Sequence, residues 1–540
     1  MTRTVLRAFL CTAALAPAGV FLHAQARPAG PGAAAITAAG LKGDVFFLAA
    51  DEMRGRDALS HEGRIAANYI ASEFMRLGLK PVGDAGTYFQ NFPMTAAAID
   101  REKTALVVHW GAVSKTFTYG DDFEPYGQSN SPMTLTAPLV FAGYGITAPE
   151  YDYDDFGGFD VSGKIVLVLT HEPQEHDPAS PFKGKWNTFH AYNRHKIENI
   201  RKHGAAAVLI VDEWTPDRPP MTPSGPRPVG QPNYALANGF LDIPEFTISR
   251  RAADDILKPS GNTIEQLKEA IDHTGHPASE ALTSTGPAGQ QIPILVSVNK
   301  ALGERRVVQT RNVVGLLEGT DPQLKAEVVA VTAHYDHVGV SGDRIYHGAD
   351  DNASGTAGVL EIARAFADGA ARPKRSVLFA VFEAEERGLL GAYAYVAHPV
   401  VPLDKTVAVL NMDMIGRDED SPTWNTHPAD NLNGVNIVGT LYSPDLRKII
   451  ERENAAVGLK LDYKTDGDDR EAWFARSDHF PFAEHDVPMV LFNTGEHPDY
   501  HTEHDTWDRL HYEKMEKIVR LIYLTARDVA ASGEKVGFVK

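Results

Sequence analysis

Residues that could hold a metal ion are concentrated in one stretch near the middle of the sequence. It opens with an apolar, β-branched run, Val328–Thr332, which has the length expected of a buried strand. His334 and Asp336 follow, and because side chains two apart on a strand share a face, this carboxylate could orient the imidazole of a metal ligand. After a short loop come two carboxylates, Asp350 and Asp351, directly before a helical pattern. The cluster predicts a metal site, although each piece alone also fits a surface pair or a helix cap.

Further candidate ligands follow later predicted strands. Glu385 and Glu386 come after the apolar strand Ser376–Phe382, Asp413 ends another apolar run, and His501 lies far downstream. Burying such carboxylates without a cation would be costly. Mixed imidazole and carboxylate ligands suit zinc, and five ligands are too many for one tetrahedral ion. The set therefore predicts two ions that share a carboxylate, with one glutamate left as a general base, an arrangement that hydrolyses amides and phosphates alike.

The segment that carries these residues alternates strands with helices. The predicted elements are strands at 313–317, 328–332, 376–382 and 407–412, and helices at 355–366 and 389–397. This alternation predicts an α/β fold with a mostly parallel or mixed central sheet flanked by helices. In such sheets, sites form in the crevice beyond the carboxyl ends of the strands. The candidate ligands fall at that edge.

The length of 540 residues exceeds that of one ordinary core and predicts several domains. From about residue 136 the pattern changes to short strands and Gly-rich loops, which predicts a β-rich insert at 136–297. A larger domain is thereby divided into a first part, 27–135, and a second part, 298–540, which holds the candidate site.

The N-terminus has the features of a secretory signal peptide at residues 1–26. Arg3 and Arg7 precede an apolar run, and a small-x-small motif ends at Ala26. We therefore expect an exported protein, either periplasmic or secreted. Cys11 is the only cysteine and lies inside this segment, so the metal would be held by His, Asp and Glu.

Composition limits the classes of partner. Hydrophobic content of 43% and charged content of 23% are typical of a soluble globular protein. The net charge of -19 argues against nucleic acid or an anionic membrane surface as a partner. No later segment is long and apolar enough to predict stable membrane insertion.

Five segments, in order, resemble the signature blocks of the M28 family of zinc peptidases. They are AHYDH, GADDNASG, FEAEERGLLGA, NMDMIG and YHTEHDT. In addition, FAGYGI and HGAAAVLIV resemble the protease-associated (PA) domain that is inserted in some members. The resemblance extends from Ile36 to Tyr523. It implies a zinc exopeptidase fold, two zinc ions per chain and a peptide substrate.

Carried over by position, the resemblance implies a role for each ligand. His334 and Asp413 would bind one zinc, and Glu386 and His501 would bind the other. Asp351, the second carboxylate of its pair, would bridge the two ions.

The resemblance also implies three catalytic roles. Glu385 would be the general base, Asp336 would orient His334, and Tyr500 would stabilise the oxyanion. Other branches of the family place that tyrosine earlier, where this chain has Phe474. Four nearby residues receive no metal and are predicted to be caps, contacts of a ligand, or surface residues: Asp350, His337, His347 and His504.

These observations predict an exported dizinc aminopeptidase. Carboxypeptidase or dipeptidase action is the main alternative, and Arg417 could then contact a substrate carboxylate instead of forming a structural salt bridge. A glutaminyl cyclase would use a single catalytic zinc, and a receptor-like binding protein would have lost ligands, so zinc content of about two, one or zero separates the three classes. The insert could serve as a lid, a specificity element or a homodimer interface.

Overall fold

The computed structural model describes most of the chain. The described residues are 31–125, 130–175, 177–184, 186–212, 233–237, 243–369, 372–422, 426–466 and 473–539. The predicted signal peptide, 1–26, lies outside them. Among the described helices, none combines the length and apolar character needed to cross a bilayer.

The α-helices of the described ranges are α1 (Pro31–Ala35), α2 (Ala38–Leu48), α3 (His61–Arg76), α4 (Asn193–Lys202), α5 (Arg250–Leu257), α6 (Ile264–Thr274), α7 (Gly355–Ala367), α8 (Leu390–Ala397), α9 (Pro444–Asn454), α10 (Phe480–Ala483) and α11 (Tyr512–Ala531). The first twelve strands are β1 (Lys80–Pro81), β2 (Phe89–Ala97), β3 (Ala105–Trp110), β4 (Val113–Phe117), β5 (Phe123–Pro125), β6 (Met133–Phe141), β7 (Thr147–Ala148), β8 (Tyr153–Asp154), β9 (Ile165–Leu169), β10 (Ala207–Asp212), β11 (Asn233–Leu236) and β12 (Glu245–Ser249). The later strands are β13 (Glu280–Ala281), β14 (Thr283–Thr285), β15 (Gln291–Lys300), β16 (Arg306–Leu317), β17 (Val328–His334), β18 (Gly339–Ser341), β19 (Arg344–Tyr346), β20 (Ser376–Phe382), β21 (Thr406–Met412), β22 (Gly434–Val438), β23 (Lys460–Asp462) and β24 (Met489–Asn493).

The larger of two main sheets has the strand order β11-β2-β16-β20-β17-β21-β24-β22-β23, and β1 pairs with β16. Its centre is parallel, since β17 runs parallel to β20 and β21, and β21 runs parallel to β24. Towards one edge the pairing becomes antiparallel, at β20–β16 and β16–β2. The predicted α/β class with a mixed central sheet flanked by helices is confirmed.

The central strands form because they are apolar on both faces. Every residue of β17, β20 and β21 is buried, as expected of parallel strands that are covered by helices on both sides. In β17, Val329 and Val331 point into a core with α2, α3, α7 and α11. Val328 and Ala330 point into the opposite core, with α8 and α10. Full burial of each such valine contributes roughly 1.5–3 kcal/mol, which fixes the sheet between its two helical layers.

The smaller sheet has the order β4-β3-β15-β6-β9-β10-β12-β5, with β13 on β6 and β14 on β15. Three strands of this sheet, β3, β4 and β5, lie before the predicted boundary at residue 136. Strand β15 joins β3 to the rest of the sheet, because it pairs with β3 on one side and with β6 on the other. The end of β15 at Lys300 is also slightly beyond the predicted end of the insert at 297. By contrast, β11 lies inside the predicted insert and adds to the edge of the larger sheet through β2.

Candidate metal centre

The central strands of the larger sheet deliver the candidate ligands to one edge. His334 is the last residue of β17, Glu385 and Glu386 lie in the loop after β20, and Asp413 follows the last residue of β21. His501 lies in the loop after β24. Because these strands are parallel, their carboxyl ends meet at the same edge, where crevices form in open α/β sheets.

Asp351 reaches the same place from the turn Ala349–Ser354, directly before α7. Its own backbone angles are not helical, with φ -104° and ψ 97°. Its backbone N–H donates to the carboxylate of Asp505 at 3.1 Å, and the N–H of Asp350 donates to the same carboxylate at 3.0 Å. The Asp350 side chain instead accepts from the N–H of Gly416 at 2.6 Å. The side chains of the two adjacent aspartates therefore have different roles. That of Asp350 connects two loops, whereas that of Asp351 faces the candidate ligands.

Two groups of side chains could each hold a cation. In the first, called cluster 1 below, one ligand atom from each of four side chains lies within 4.8 Å of the others: His337, Asp351, Glu386 and His501. In the second, called cluster 2, the same holds for three side chains: His334, Glu385 and Asp413.

Asp351 connects the two clusters. Its Oδ2 lies 2.9 Å from Nε2 of His501 in cluster 1, and its Oδ1 lies 3.3 Å from Nε2 of His334 in cluster 2. That His334 nitrogen is also 3.4 Å from Oδ1 of Asp413. One carboxylate thus offers a separate oxygen to each cluster, which is the geometry of a bridging ligand.

Charge in cluster 1 is balanced between carboxylates and imidazoles. Burial lowers the pKa of His501, but the carboxylates of Glu386 and Asp351 outweigh it and raise that pKa to about 11. Burial and Asp351 act to raise the pKa of Glu386, while His501 and His337 prevail and lower it to about 2. Both carboxylates of cluster 1 are therefore ionised, since the pKa of Asp351 is also held well below its usual range by His334, His337 and His501 against the effect of burial.

Cluster 2 has an excess of carboxylate over imidazole. Burial and the neighbouring Asp413 and Glu386 raise the pKa of Glu385 well above its usual range, although His334 opposes them. Burial likewise raises the pKa of Asp413. Such shifts mark a site in which negative charge lacks a counter-ion, and a bound cation would oppose them.

Asp336 contacts both a candidate ligand and the candidate base. Its backbone carbonyl lies 3.1 Å from Nδ1 of His334, and its Oδ1 lies 3.7 Å from the same nitrogen. The carboxylate also accepts from the backbone N–H of Glu385 at 3.1 Å. Asp336 therefore links the end of β17 to the loop after β20.

Tyr500 lies beside the centre. Its ring stacks on that of His501, with centroids 4.0 Å apart and an interplanar angle of 27°. Phe474, at the alternative position for a tyrosine, is buried among aromatic rings that include Phe189 and Tyr442. Phe474 has no hydroxyl to donate, whereas Tyr500 is a phenol in contact with a candidate ligand, His501.

Of the four residues to which the sequence analysis assigned no metal, three lie outside the clusters and one lies in cluster 1. Asp350 is a buried structural group, His347 pairs with the exposed Asp51 at 2.9 Å, and His504 is exposed. His337, however, is fully buried in cluster 1, with Nδ1 at 2.8 Å from Oε1 of Glu386. The AHYDH block contains this histidine, and its place beside Asp336 was the only signal available.

Arg56 is a second residue whose position the sequence did not indicate. Its guanidinium is fully buried and donates to the backbone carbonyls of Leu48, Tyr335, His347 and Gly348, at 2.6–2.9 Å. Burial lowers its pKa to about 10, against the pull of four nearby carboxylates. It therefore remains charged at neutral pH and ties together the loops that carry His334 and Asp351.

The donor set fits zinc. Imidazole nitrogens and carboxylate oxygens lie within range of one another in both clusters, which is the mixture that zinc binds in proteins. Buried polar atoms without a hydrogen-bond partner also gather here, among them Oδ2 of Asp336 and both carboxylate oxygens of Asp478. Burial of so many anionic groups calls for a cation.

Comparison with known proteins places this centre in a family. Residues 312–526 match the model of peptidase family M28, and residues 135–256 match the model of the PA domain. The chain belongs to peptidase family M28 and carries a PA domain. The M28 match contains every candidate ligand from His334 to His501. The predicted resemblance is confirmed, while the roles given to single residues stay predictions.

Three curated relatives are similar to two thirds or more of the chain. Aminopeptidase YwaD of Bacillus subtilis (strain 168) is 26% identical over 413 residues, which cover 75% of this chain and 70% of that protein. The probable glutamate carboxypeptidase AMP1 of Arabidopsis thaliana is 26% identical over 414 residues, covering 71% of this chain and 52% of that protein. Aminopeptidase NAALADL1 of Mus musculus is 35% identical over 409 residues, which cover 67% of this chain and 48% of that protein. The matched part of the chain thus spans about half the length of the latter two.

Proposed function

We propose that this M28 protein is a dizinc exopeptidase that removes N-terminal residues from peptides. The observation that carries the proposal is the position of Asp351, whose two oxygens face His334 and His501 in separate clusters. A carboxylate that lies between two mixed ligand sets can be shared by a pair of zinc ions.

The ligand assignment uses five of the seven cluster residues and leaves Glu385 and His337 outside the ligand set. His334 and Asp413 would hold one zinc, Glu386 and His501 would hold the other, and Asp351 would bridge them. Bound zinc would polarise the scissile carbonyl and lower the pKa of water, as it does in other hydrolases.

Glu385 is suited to the general base. It belongs to cluster 2, with Oε2 at 3.9 Å from Nε2 of His334, so its carboxylate faces the place where a reacting water would lie. Asp336 fixes its backbone through the 3.1 Å hydrogen bond. Glu385 would take a proton from the attacking water and return it to the leaving amine, a role that typically contributes 10²–10⁴-fold to the rate.

Tyr500 is suited to hold the oxyanion. Burial and the carboxylates of Asp351 and Glu386 raise the pKa of its hydroxyl well above the usual value, so the hydroxyl keeps its proton. A phenol that remains protonated beside the reacting carbonyl can donate to negative charge as it develops.

The charge of the centre favours a substrate with a free α-amine. Carboxylates outnumber imidazoles around cluster 2, and an ammonium group is attracted to such a site. Two of the three curated relatives are named aminopeptidases. The guanidinium of Arg417, which could otherwise bind a substrate carboxylate, is engaged with Asp499 at 2.9 Å.

Carboxypeptidase action is the second candidate. It is favoured by one observation, because Nη1 of Arg417 is buried without a hydrogen-bond partner in the described part of the chain. One relative is also named a probable glutamate carboxypeptidase. In this reading Nη1 would donate to the carboxylate at the C-terminus of a substrate.

The test compares substrates that differ only at one terminus. Free and N-acetylated Leu-, Ala- and Lys-p-nitroanilides are offered with and without a chelator, together with N-blocked peptides that have a free C-terminus. We expect chelator-sensitive cleavage of the free-amine substrates alone, and its loss in Glu385→Gln while the zinc content is retained. Cleavage of only the N-blocked peptides, with loss in Arg417→Leu, would favour the carboxypeptidase.

We also propose that the protein is exported, on the strength of the basic, apolar and small-residue pattern of 1–26. Intact mass of the protein recovered from the periplasm or medium is expected to correspond to a chain that begins at Arg27. A chain that retains Met1 in the cytoplasm would contradict export.

A further inference from the structure

His337 is a buried imidazole that the predicted ligand set leaves without a role. Its Nδ1 lies 2.8 Å from Oε1 of Glu386. A carboxylate only accepts hydrogen bonds, so Nδ1 carries the proton and donates. The other oxygen of Glu386, Oε2, lies 3.2 Å from Nε2 of His501. The carboxylate is thereby divided, with Oε1 held by His337 and Oε2 directed towards the remaining ligands of cluster 1.

The surroundings of the second ring nitrogen, Nε2, show whether His337 is a hydrogen-bond donor to Glu386 or a metal ligand. Nε2 is buried and has no hydrogen-bond partner among the described residues. A ring that bound metal through Nδ1 would carry its proton on Nε2, where an acceptor is normally found. A ring that donates from Nδ1 leaves only a lone pair at Nε2, and this fits the surroundings better than a buried N–H without an acceptor.

The surrounding chain fixes the ring in this orientation. Gly348 has φ +59°, and a Cβ there would lie 2.4 Å from Cγ of His337, so only glycine leaves room for the imidazole. The backbone N–H of His337 donates to the carbonyl of Arg56 at 3.3 Å. On another side the ring meets that of His501 edge-on, with centroids 5.3 Å apart. These contacts prevent rotation away from Glu386.

We propose that His337 is a positioning residue that holds Glu386 so that one oxygen, Oε2, faces the zinc of cluster 1. The role rests on the proposed two-zinc centre and adds to it a residue outside the ligand set. Outer hydrogen bonds to a metal ligand fix its orientation, and their loss typically weakens metal binding by 10–100-fold.

Two substitutions separate the loss of the hydrogen bond from Nδ1 from the general effect of losing the imidazole ring. His337→Asn places its amide N–H close to the position of Nδ1, whereas His337→Gln places it close to Nε2. Both keep a buried polar side chain, so they share the general cost of losing the ring. His347→Gln is the matched control, because His347 pairs with the exposed Asp51 outside the cluster.

The measurement is the dissociation constant of each zinc, obtained by competition with a chromophoric chelator. We expect His337→Gln to weaken one of the two zincs by about 10–100-fold, with His337→Asn and His347→Gln close to the wild type. Equal affinity in the wild type and His337→Gln, or an Asn variant as weak as the Gln variant, would overturn the role of His337. A wild type that binds one zinc would contradict the two-zinc centre itself, and the same pair of variants would still report whether His337 supports the zinc that binds.

Discussion

Several residues of this centre contact two different partners, one through each of two polar atoms. Asp351 gives one oxygen to each cluster, and Glu386 gives one to His337 and one to His501. Asp336 accepts from the backbone of Glu385 while its own carbonyl lies against His334. Two candidate ligands, Glu386 and His334, are thus each held by a residue outside the ligand set, which is how metal sites obtain fixed geometry.

Zinc binding should release protons from single residues of the centre. Burial lowers the pKa of His501, but Glu386 and Asp351 raise it to about 11, so the imidazole is protonated at neutral pH before zinc binds. Zinc binds only the neutral ring, so protons must leave and the apparent affinity must rise with pH. The rise should be about tenfold per pH unit for each proton released.

Titration calorimetry in two buffers of different protonation enthalpy checks this. We expect the apparent binding enthalpy near neutral pH to differ between the buffers in proportion to the protons released. The same enthalpy in both buffers would show that the histidines were already neutral.

Several of the candidate ligands could be singled out from the sequence because they leave a local signal. A carboxylate or imidazole directly after an apolar strand, as at His334 and Asp413, is costly to bury without a partner. Its position therefore identifies it as a candidate metal ligand. Arg56 and His337 leave no such signal. Arg56 interacts with backbone carbonyls, which no side-chain pattern reveals, and the partner of His337 lies in a distant loop.

At the scale of elements, the parallel strands and the loops after them form the site. The strands β17, β20 and β21 were predicted with nearly the observed bounds, because their apolar runs are too long and too β-branched for a surface position. The pairing of β16 against β20 in the opposite direction was not indicated, since the sequence of a strand does not specify its direction relative to a neighbour. For the same reason the sequence did not indicate that β3, β4 and β5, within the predicted segment 27–135, pair into the smaller sheet.

Arg56 joins α2 to the loops that follow β17 and precede α7. Arg56→Lys keeps the charge but replaces a planar fork with a single ammonium, which leaves buried carbonyls without donors. We expect the free energy of unfolding to fall by about 2–4 kcal/mol, since each orphaned group costs about 1–3 kcal/mol, and zinc affinity to fall with it.

Urea unfolding and chelator competition measure the two effects. Arg64→Lys is the control, because Arg64 is exposed on α3 and its contact to the carbonyl of Leu59 is long, at 3.5 Å. An Arg56→Lys protein as stable as this control, with unchanged zinc affinity, would show that the carbonyl contacts do not hold the loops.

At the scale of the whole molecule, the PA region touches the loop that carries the candidate base. Arg194 of α4 donates to the carbonyl of Gly388 at 3.3 Å, and its guanidinium lies 3.6 Å from the centroid of the Tyr393 ring. Phe189, also from this region, packs against Tyr442 and Phe474. The insert therefore supports the loop after β20 from outside, which connects it physically to Glu385 and Glu386.

A substitution of Arg194 tests whether this contact matters for catalysis. Arg194→Leu removes the donor to Gly388 and the contact with Tyr393, which should loosen the loop after β20. A shift of the base by a fraction of an ångström is costly, so we expect kcat to fall by about threefold to tenfold, as for loss of one hydrogen bond, with the zinc content unchanged.

Arg201→Leu on the same helix is the control. Arg201 is exposed and contacts Glu198 only at 3.9 Å, so its loss should leave kcat unaltered. If both variants retain the wild-type kcat, the insert does not position the loop.

The number of zinc ions that restores activity tests the two-zinc centre most directly. Protein stripped by a chelator is titrated with zinc, and hydrolysis of Leu-p-nitroanilide is followed together with the metal content of the desalted protein. The bridging position of Asp351 predicts two zinc ions per chain, and Asp351→Asn should weaken both. Full activity at one bound zinc, or loss of only one zinc in Asp351→Asn, would contradict a centre built on a shared carboxylate.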